Sequence, residues 1–368
     1  MGAWPDLTEY HEAVQHPQKA FADPGLRAVR IELDRFGMPK PATGGNAVVY
    51  KGNEPGLLFQ KTWAIRCFLR PISDHAERYE AISKHLRKVH LRYDVNFHFL
   101  KQGIQIRSNW FPIVKMKWAK GDLLHSHIEK HLRNPAYLSA LRAQWVTLVR
   151  QLEAAQVAHG DLQHGNILVR GGSFHLVDYD GMWVPALQGR EATETGHRAY
   201  QHPERSGQDY GLELDRFSAL VIYLSLAALE RRAALWERFH TGDNLIFVRE
   251  DFQQPGRSPI WEELGRIGSR EIDRLAAALA AMAHEDPMKV GNLDSVLKNP
   301  VGSKAASSVP AATPAPKLAP TPAPKPAPKP APKPAPTPAQ RAAPKPKPQP
   351  AAQTPSWMKK SGYRDSDD

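Results

Sequence analysis

Eighteen of the chain's 33 prolines fall after position 300, eight of them in four copies of Ala-Pro-Lys-Pro. Residues 305–355 carry too few apolar side chains to offset the entropy of ordering them, and such text favours extended polyproline II. Any globular core must therefore be built before that point. The expected division is a main domain at 41–298, with an N-terminal extension at 1–40 packed on it. After these come a disordered Pro/Ala/Lys-rich linker at 299–355 and a short tail at 356–368. The linker reads as a semi-rigid spacer, with a recognition peptide for a proline-binding domain or an acidic partner as the alternative.

The stretch after 300 also holds nine lysines, two arginines and three aspartates, a net of +8. The whole chain has +11, so +3 remains for the folded part, which is only mildly basic. No run of lysine and arginine with interleaved aromatics precedes residue 300, so no specific nucleic-acid partner is expected. The single cysteine, Cys67, excludes a disulfide framework or a thiolate zinc site. Its neighbours Ile65 and Phe68 place it on a buried strand as a small apolar filler. Trp4-Pro5-Asp6 interrupts any apolar opening, so no signal peptide is expected. The most apolar run, 217–229, is too short for a bilayer core of ~30 Å and reads as a buried helix. The expected location is the cytoplasm, with no membrane contact.

Short β-like segments occupy 47–51, 62–69, 97–106 and 111–118. Among them lies one helical pattern at 73–89, with Ser73 and Asp74 as cap candidates and Tyr79, Ile82, Leu86 and Val89 as its apolar stripe. After Gly121 the chain turns helical, with Leu141, Trp145, Leu148 and Leu152 in register over 138–156. Two strands at 166–169 and 174–177, joined by Arg170-Gly171-Gly172-Ser173, read as a hairpin. A long loop runs to Gly211, followed by apolar helices. A small β-rich part with one helix before a large helical part is an α+β arrangement. Three of the 16 histidines, His125, His127 and His131, share a helical stretch. No carboxylate repeats at ligand spacing beside them, and they read as solvated surface residues.

The chemistry concentrates in His159-Gly160-Asp161-Leu162-Gln163-His164-Gly165-Asn166-Ile167-Leu168-Val169. Phosphoryl transfer asks a protein for a carboxylate that orients the attacking hydroxyl and for ligands to the Mg²⁺ on the phosphates. An Asp with an Asn five residues on, both in a loop that feeds a hairpin, can supply the base and one metal ligand. The hairpin returns the chain to Asp178, which can supply the other. This pattern resembles the catalytic and metal-binding loops of protein kinases.

Further parts arrive in the order that family requires. Ala42-Thr43-Gly44-Gly45-Asn46-Ala47 looks like a glycine-rich phosphate loop, with Ala42 and Ala47 in place of two glycines. Ala64-Ile65-Arg66 resembles the strand that presents a phosphate-binding lysine, and Glu80 or Glu77 resembles its helix-borne partner, Glu80 preferred. Met116-Lys117-Trp118-Ala119 looks like the hinge that holds adenine. Gly121-Asp122-Leu123 looks like the turn after it. The stretch at 196–204 resembles the end of an activation segment, and Asp215 the acid that braces the catalytic loop.

The resemblance, closest to bacterial eukaryotic-like kinases, spans residues 40–298. It implies a two-lobed kinase-like fold with a small β-rich lobe and a large helical one. It further implies an ATP- and Mg²⁺-dependent transfer to a protein hydroxyl, serine/threonine type favoured. Asp161 would be the base, Asn166 and Asp178 the metal ligands, and Arg66 the contact to the phosphates covered by Gly44, Gly45 and Asn46. A von Willebrand A-type protein is a further partner the resemblance suggests.

Departures keep two other readings open. Arg66 stands for lysine and Gly160 for arginine. Gln163 stands for lysine, His197 for threonine, and Tyr179-Asp180 for Phe-Gly. The alternatives are a pseudokinase and a small-molecule kinase of the aminoglycoside-phosphotransferase type.

Overall fold

A computed structural model describes residues 4–43, 47–56, 60–71, 73–89, 91 and 97–298. The linker, the tail and the loop with Gly44, Gly45 and Asn46 lie outside the described residues. The chain begins with three short helices, α1 (Leu7–Val14), α2 (Pro17–Ala20) and α3 (Pro24–Arg27), each of whose starts is written locally. Asp6 and Glu9 close a capping box on α1, the Asp23 carboxylate accepts from Leu26 N at α3, and proline opens α2 and α3.

A six-stranded antiparallel sheet comes next. It comprises β1 (Arg30–Ile31), β2 (Pro41–Thr43), β3 (Ala47–Glu54), β4 (Lys61–Phe68), β5 (Phe97–Ile106) and β6 (Asn109–Lys117). Its order is β1-β3-β4-β6-β5, with β2 also paired to β3. Helix α4 (Ser73–Val89) leaves β4 and returns to β5, with the bounds its apolar periodicity predicts. Alternation on the strands splits the sheet's faces between two cores. Val48, Tyr50, Ile65, Cys67, Ile104 and Ile113 meet Tyr10, Val14, Phe21 and Leu26 of the N-terminal helices. Ala47, Phe68, Phe97 and Val114 meet Tyr79, Ile82 and Leu86 of α4 and run into the core of the helical part. Cys67 is fully buried in the first of these cores, and burial pushes its thiol well above the usual range.

Beyond the sheet come β7 (Asp122–Leu123), α5 (Leu124–His131) and α6 (Pro135–Ala154). The helix α6 starts three residues earlier than the apolar period indicates, because Asn134 caps Tyr137 N and Pro135 sits at the first turn. The hairpin of β8 (Ile167–Arg170) and β9 (Ser173–Leu176) turns on Gly171 and Gly172, at φ +55° and +75°. Helix α7 (Arg216–Arg231) is buried from Phe217 through Leu229, and Trp145 of α6 donates to Ala219 O at 3.0 Å. Five helices complete this part: α8 (Ala234–Phe239), α9 (Arg249–Gln253), α10 (Pro259–Gly265), α11 (Arg270–Met282) and α12 (Leu293–Lys298). With 43% helix, 19% strand and antiparallel sheets, the fold is α+β. No helix among the described residues is long and apolar enough to cross a membrane.

Candidate functional site

The loop between α6 and β8 is shaped from below by Asp215. Its buried carboxylate accepts from two successive amides, His159 N at 2.5 Å and Gly160 N at 2.9 Å. Burial pushes the Asp215 carboxyl up, and the His159 side chain and these amide hydrogen bonds pull against it. The His159 ring is fully buried with Nε2 3.1 Å from Val177 O, and Arg205 donates to Gly160 O at 2.7 Å. This frame points Asp161 outward. One of its oxygens accepts from His197 N at 2.6 Å and the other from Asn166 Nδ2 at 2.8 Å. Asn166 is 1% exposed, and its Oδ1 is buried without a hydrogen-bond partner. A buried amide oxygen left bare is costly, which marks the spot as built for something else.

Asp178 comes directly after Val177 in the left-handed region, at φ +67°, and Val177 N donates to Asn166 O at 3.0 Å, so the two candidate metal ligands are neighbours. Burial raises the Asp178 carboxyl, nearby Asp180 raises it further, Arg66 opposes them, and the result is about 7. Its side chain keeps 32% exposure, so solvent tempers the burial contribution. Gln163 turns inward: at 3% exposure it accepts from Gly165 N at 2.9 Å and shapes the loop.

Arg66 projects from β4 towards this loop. Nη1 and Nη2 each meet one oxygen of Asp180 at 2.5 Å, and Nη1 lies 3.7 Å from Asp178. Tyr79 of α4 donates to the same Asp180 carboxylate at 2.9 Å. Burial opposes the charge on Arg66, but Asp180, Tyr79 and Asp178 outweigh it and hold the guanidinium above its usual range. The acids expected to pair with Arg66 do not do so. Glu80 is 53% exposed and pairs with Lys101 at 2.7 Å, and Glu77 pairs with Arg190 at 2.7 Å. Both stand on the outer side of α4, where its polar face meets solvent, while Tyr79 occupies the inward position.

A cleft of about 550 Å³ opens between the start of β4, the link from β6 to β7 and the β8–β9 hairpin. Met116 and Trp118 line it, as do Thr62, Trp63, Leu176 and Tyr179. Asp161, Asn166 and Asp178 do not line it; Tyr179, next to Asp178, is where it approaches them. Its size is within the range of small-molecule sites.

The histidines need a correction as well. His127 is 6% exposed, with its two ring nitrogens on Asp122 and Tyr137. His125 packs on His164 at 4.8 Å between ring centroids. No group of three or more His, Cys, Asp or Glu among the described residues could hold a metal. The sequence marks Tyr79 only as part of an apolar stripe and Asp180 only as a departure, and it does not single out Arg205. Asp180, two residues after Asp178, was readable as a lost glycine but not as a partner for Arg66. No family model matches the sequence, and no curated protein matches it.

Proposed function

We propose that this chain is an ATP- and Mg²⁺-dependent phosphotransferase of protein-kinase-like, two-lobed fold, acting on a protein hydroxyl. The observation that carries the reading is the Asp161–Asn166 pair. Asn166 holds the carboxylate with its Nδ2 while its Oδ1 is buried without a partner, and its backbone carbonyl accepts from Val177 N, next to Asp178, at 3.0 Å. The fold supports it too, through the strand order β3-β4-β6-β5 with β2 paired to β3, the helix between β4 and β5, and the bracing of the loop by Asp215.

In this reading Asp161 orients the acceptor hydroxyl and takes its proton. Mg²⁺ commonly takes one or two protein oxygens and completes its shell from phosphates and water, so a three-residue protein cluster is not needed. Asn166 Oδ1 and the Asp178 carboxylate fit that demand, one bare and the other raised by burial and then by the neighbouring Asp180 charge. When bound, the ion would neutralise charge on the phosphates. Met116 and Trp118 would border the adenine, with Gly44, Gly45 and Asn46 over the phosphates.

The clasp between Arg66 and Asp180 favours a second reading, a nucleotide-binding protein without transfer, because donors suited to a phosphate already rest on a carboxylate.

Incubation with γ-labelled ATP and Mg²⁺, alone and with cell lysate, tests both. Asp161→Asn should cut transfer by ~10²-fold or more while nucleotide affinity holds. Asp178→Asn should weaken Mg²⁺-dependent nucleotide binding. Wild-type transfer that ignores both changes would sink the assignment, and nucleotide binding with no transfer would select the second reading.

A further inference from the structure

We infer that Asp180, itself held by Tyr79, is the positioning residue for Arg66, so that the loop after β9 supplies the acid expected from helix α4. The inference rests on the phosphotransferase reading. Three elements meet in one short chain of contacts. Arg66 comes from β4, with Val49 and Val114 as its strand partners on either side. Asp180 comes from the loop, and its two oxygens meet the two terminal nitrogens of the guanidinium, which fixes the plane of the fork and not only its distance. Tyr79 comes from α4, and its ring is packed among Phe68, Phe97 and Phe99 with centroids 5.4, 6.0 and 5.7 Å away. The phenol is thereby held over Asp180 Oδ1 at 2.9 Å.

Side-chain length explains the exchange. Arginine reaches further than lysine and needs its acid closer to the loop. Aspartate two residues after Asp178 is short and already there. Nη1 is left 3.7 Å from Asp178, so one clasp sets Arg66 beside the candidate metal ligand. The helix's own acids are engaged elsewhere, Glu80 with Lys101 and Glu77 with Arg190. The acid that clasps Arg66 therefore comes from the loop, and α4 contributes through the Tyr79 hydroxyl instead of through a carboxylate of its own.

The test uses the full chain and reads kcat and KM for ATP, affinity for a non-hydrolysable ATP analogue with Mg²⁺, and melting temperature. Asp180→Asn is expected to lower kcat/KM for ATP by ~10-fold or more with little change in melting temperature. In an Arg66→Met background the same change should add nothing, because Asp180 acts through Arg66. Tyr79→Phe should give a smaller loss in the same direction, and Glu80→Ala none. If Asp180→Asn folds poorly, Asp180→Glu keeps the charge, and its activity should fall between wild type and the asparagine variant. Full activity in Asp180→Asn overturns the inference, as do losses that multiply in the double variant or a Glu80→Ala loss equal to the Asp180 one. A wild type that neither binds nor turns over ATP ends the phosphotransferase reading and this inference with it. An active wild type with an indifferent Asp180 ends the inference alone.

Discussion

Gly160 lies so close to Gly181 that a Cβ on Gly160 would sit 2.2 Å from the Gly181 carbonyl oxygen, with the Gly160 backbone at φ +80°. Two successive loops, the one with Asp161 and the one with Asp178 and Asp180, are thus in backbone contact, and glycine is what lets them approach. No larger side chain could stand at this position without one of the two loops moving.

Gly160→Ala is accordingly expected to destabilise the fold by ~2 kcal/mol or more, strain and clash together. Gly171→Ala is the control. It has φ +55° with nothing within 4 Å of the added carbon, so it should show backbone strain alone. Urea unfolding of the two variants checks the difference.

The N-terminal helices cover an apolar sheet face, so their removal should act on folding. Phe21 is 1% exposed among Val48, Ile104 and their neighbours, and Phe21→Ala should cost ~3–5 kcal/mol, read by denaturant midpoint. A chain beginning at Arg30 should aggregate, because Tyr50, Ile65 and Ile113 would face water. A truncated chain that stays monomeric at the wild-type melting temperature would show that the cover contributes nothing.

Asp23 ties those helices to the sheet: its Oδ1 accepts from Lys115 Nζ at 2.8 Å and from Leu26 N at 2.9 Å. Burial alone would raise its pKa, but Lys115 and the amides outweigh it and the net shift is downward. A depressed folded-state pKa means stability present above the unfolded value, about 3.9, and lost as pH falls through the folded one. Wild type should therefore lose stability below about pH 4 more steeply than Asp23→Asn, measured by melting across an acid series. Parallel curves would remove Asp23 from the acid response.

Cys67 is fully buried and its thiol is pushed up by burial. A thiolate-directed reagent at pH 8 should therefore leave the native chain unmodified and label it at the rate of unfolding. Rapid labelling of the native protein would contradict its place in the sheet.

The site was legible in part, and the division tracks distance along the chain. Asp161 and Asn166 are five residues apart in one loop, so that the sequence already places them together, and their hydrogen bond at 2.8 Å is a local matter. The span of α4 was legible for the same reason, since a 3.6-residue period needs no tertiary information. The partner of Arg66 was not. Asp180 is 114 residues away, and Glu77 and Glu80 were equally good choices by spacing. Nor was the inward turn of His127, which depends on where Asp122 and Tyr137 come to rest.

By itself the sequence determined the elements, the alternation that sorts β4 into two faces, and the order in which the polar groups arrive. Those are set by local sterics, capping and the burial of apolar stripes. Tertiary structure decided which charges meet. The turn after β9 brings Asp180 under the strand that carries Arg66, while the packing of Tyr79 turns the acids of α4 outward. Ion pairing inside a protein is settled by where backbones place short side chains within a few ångströms, and no one-dimensional pattern carries that distance.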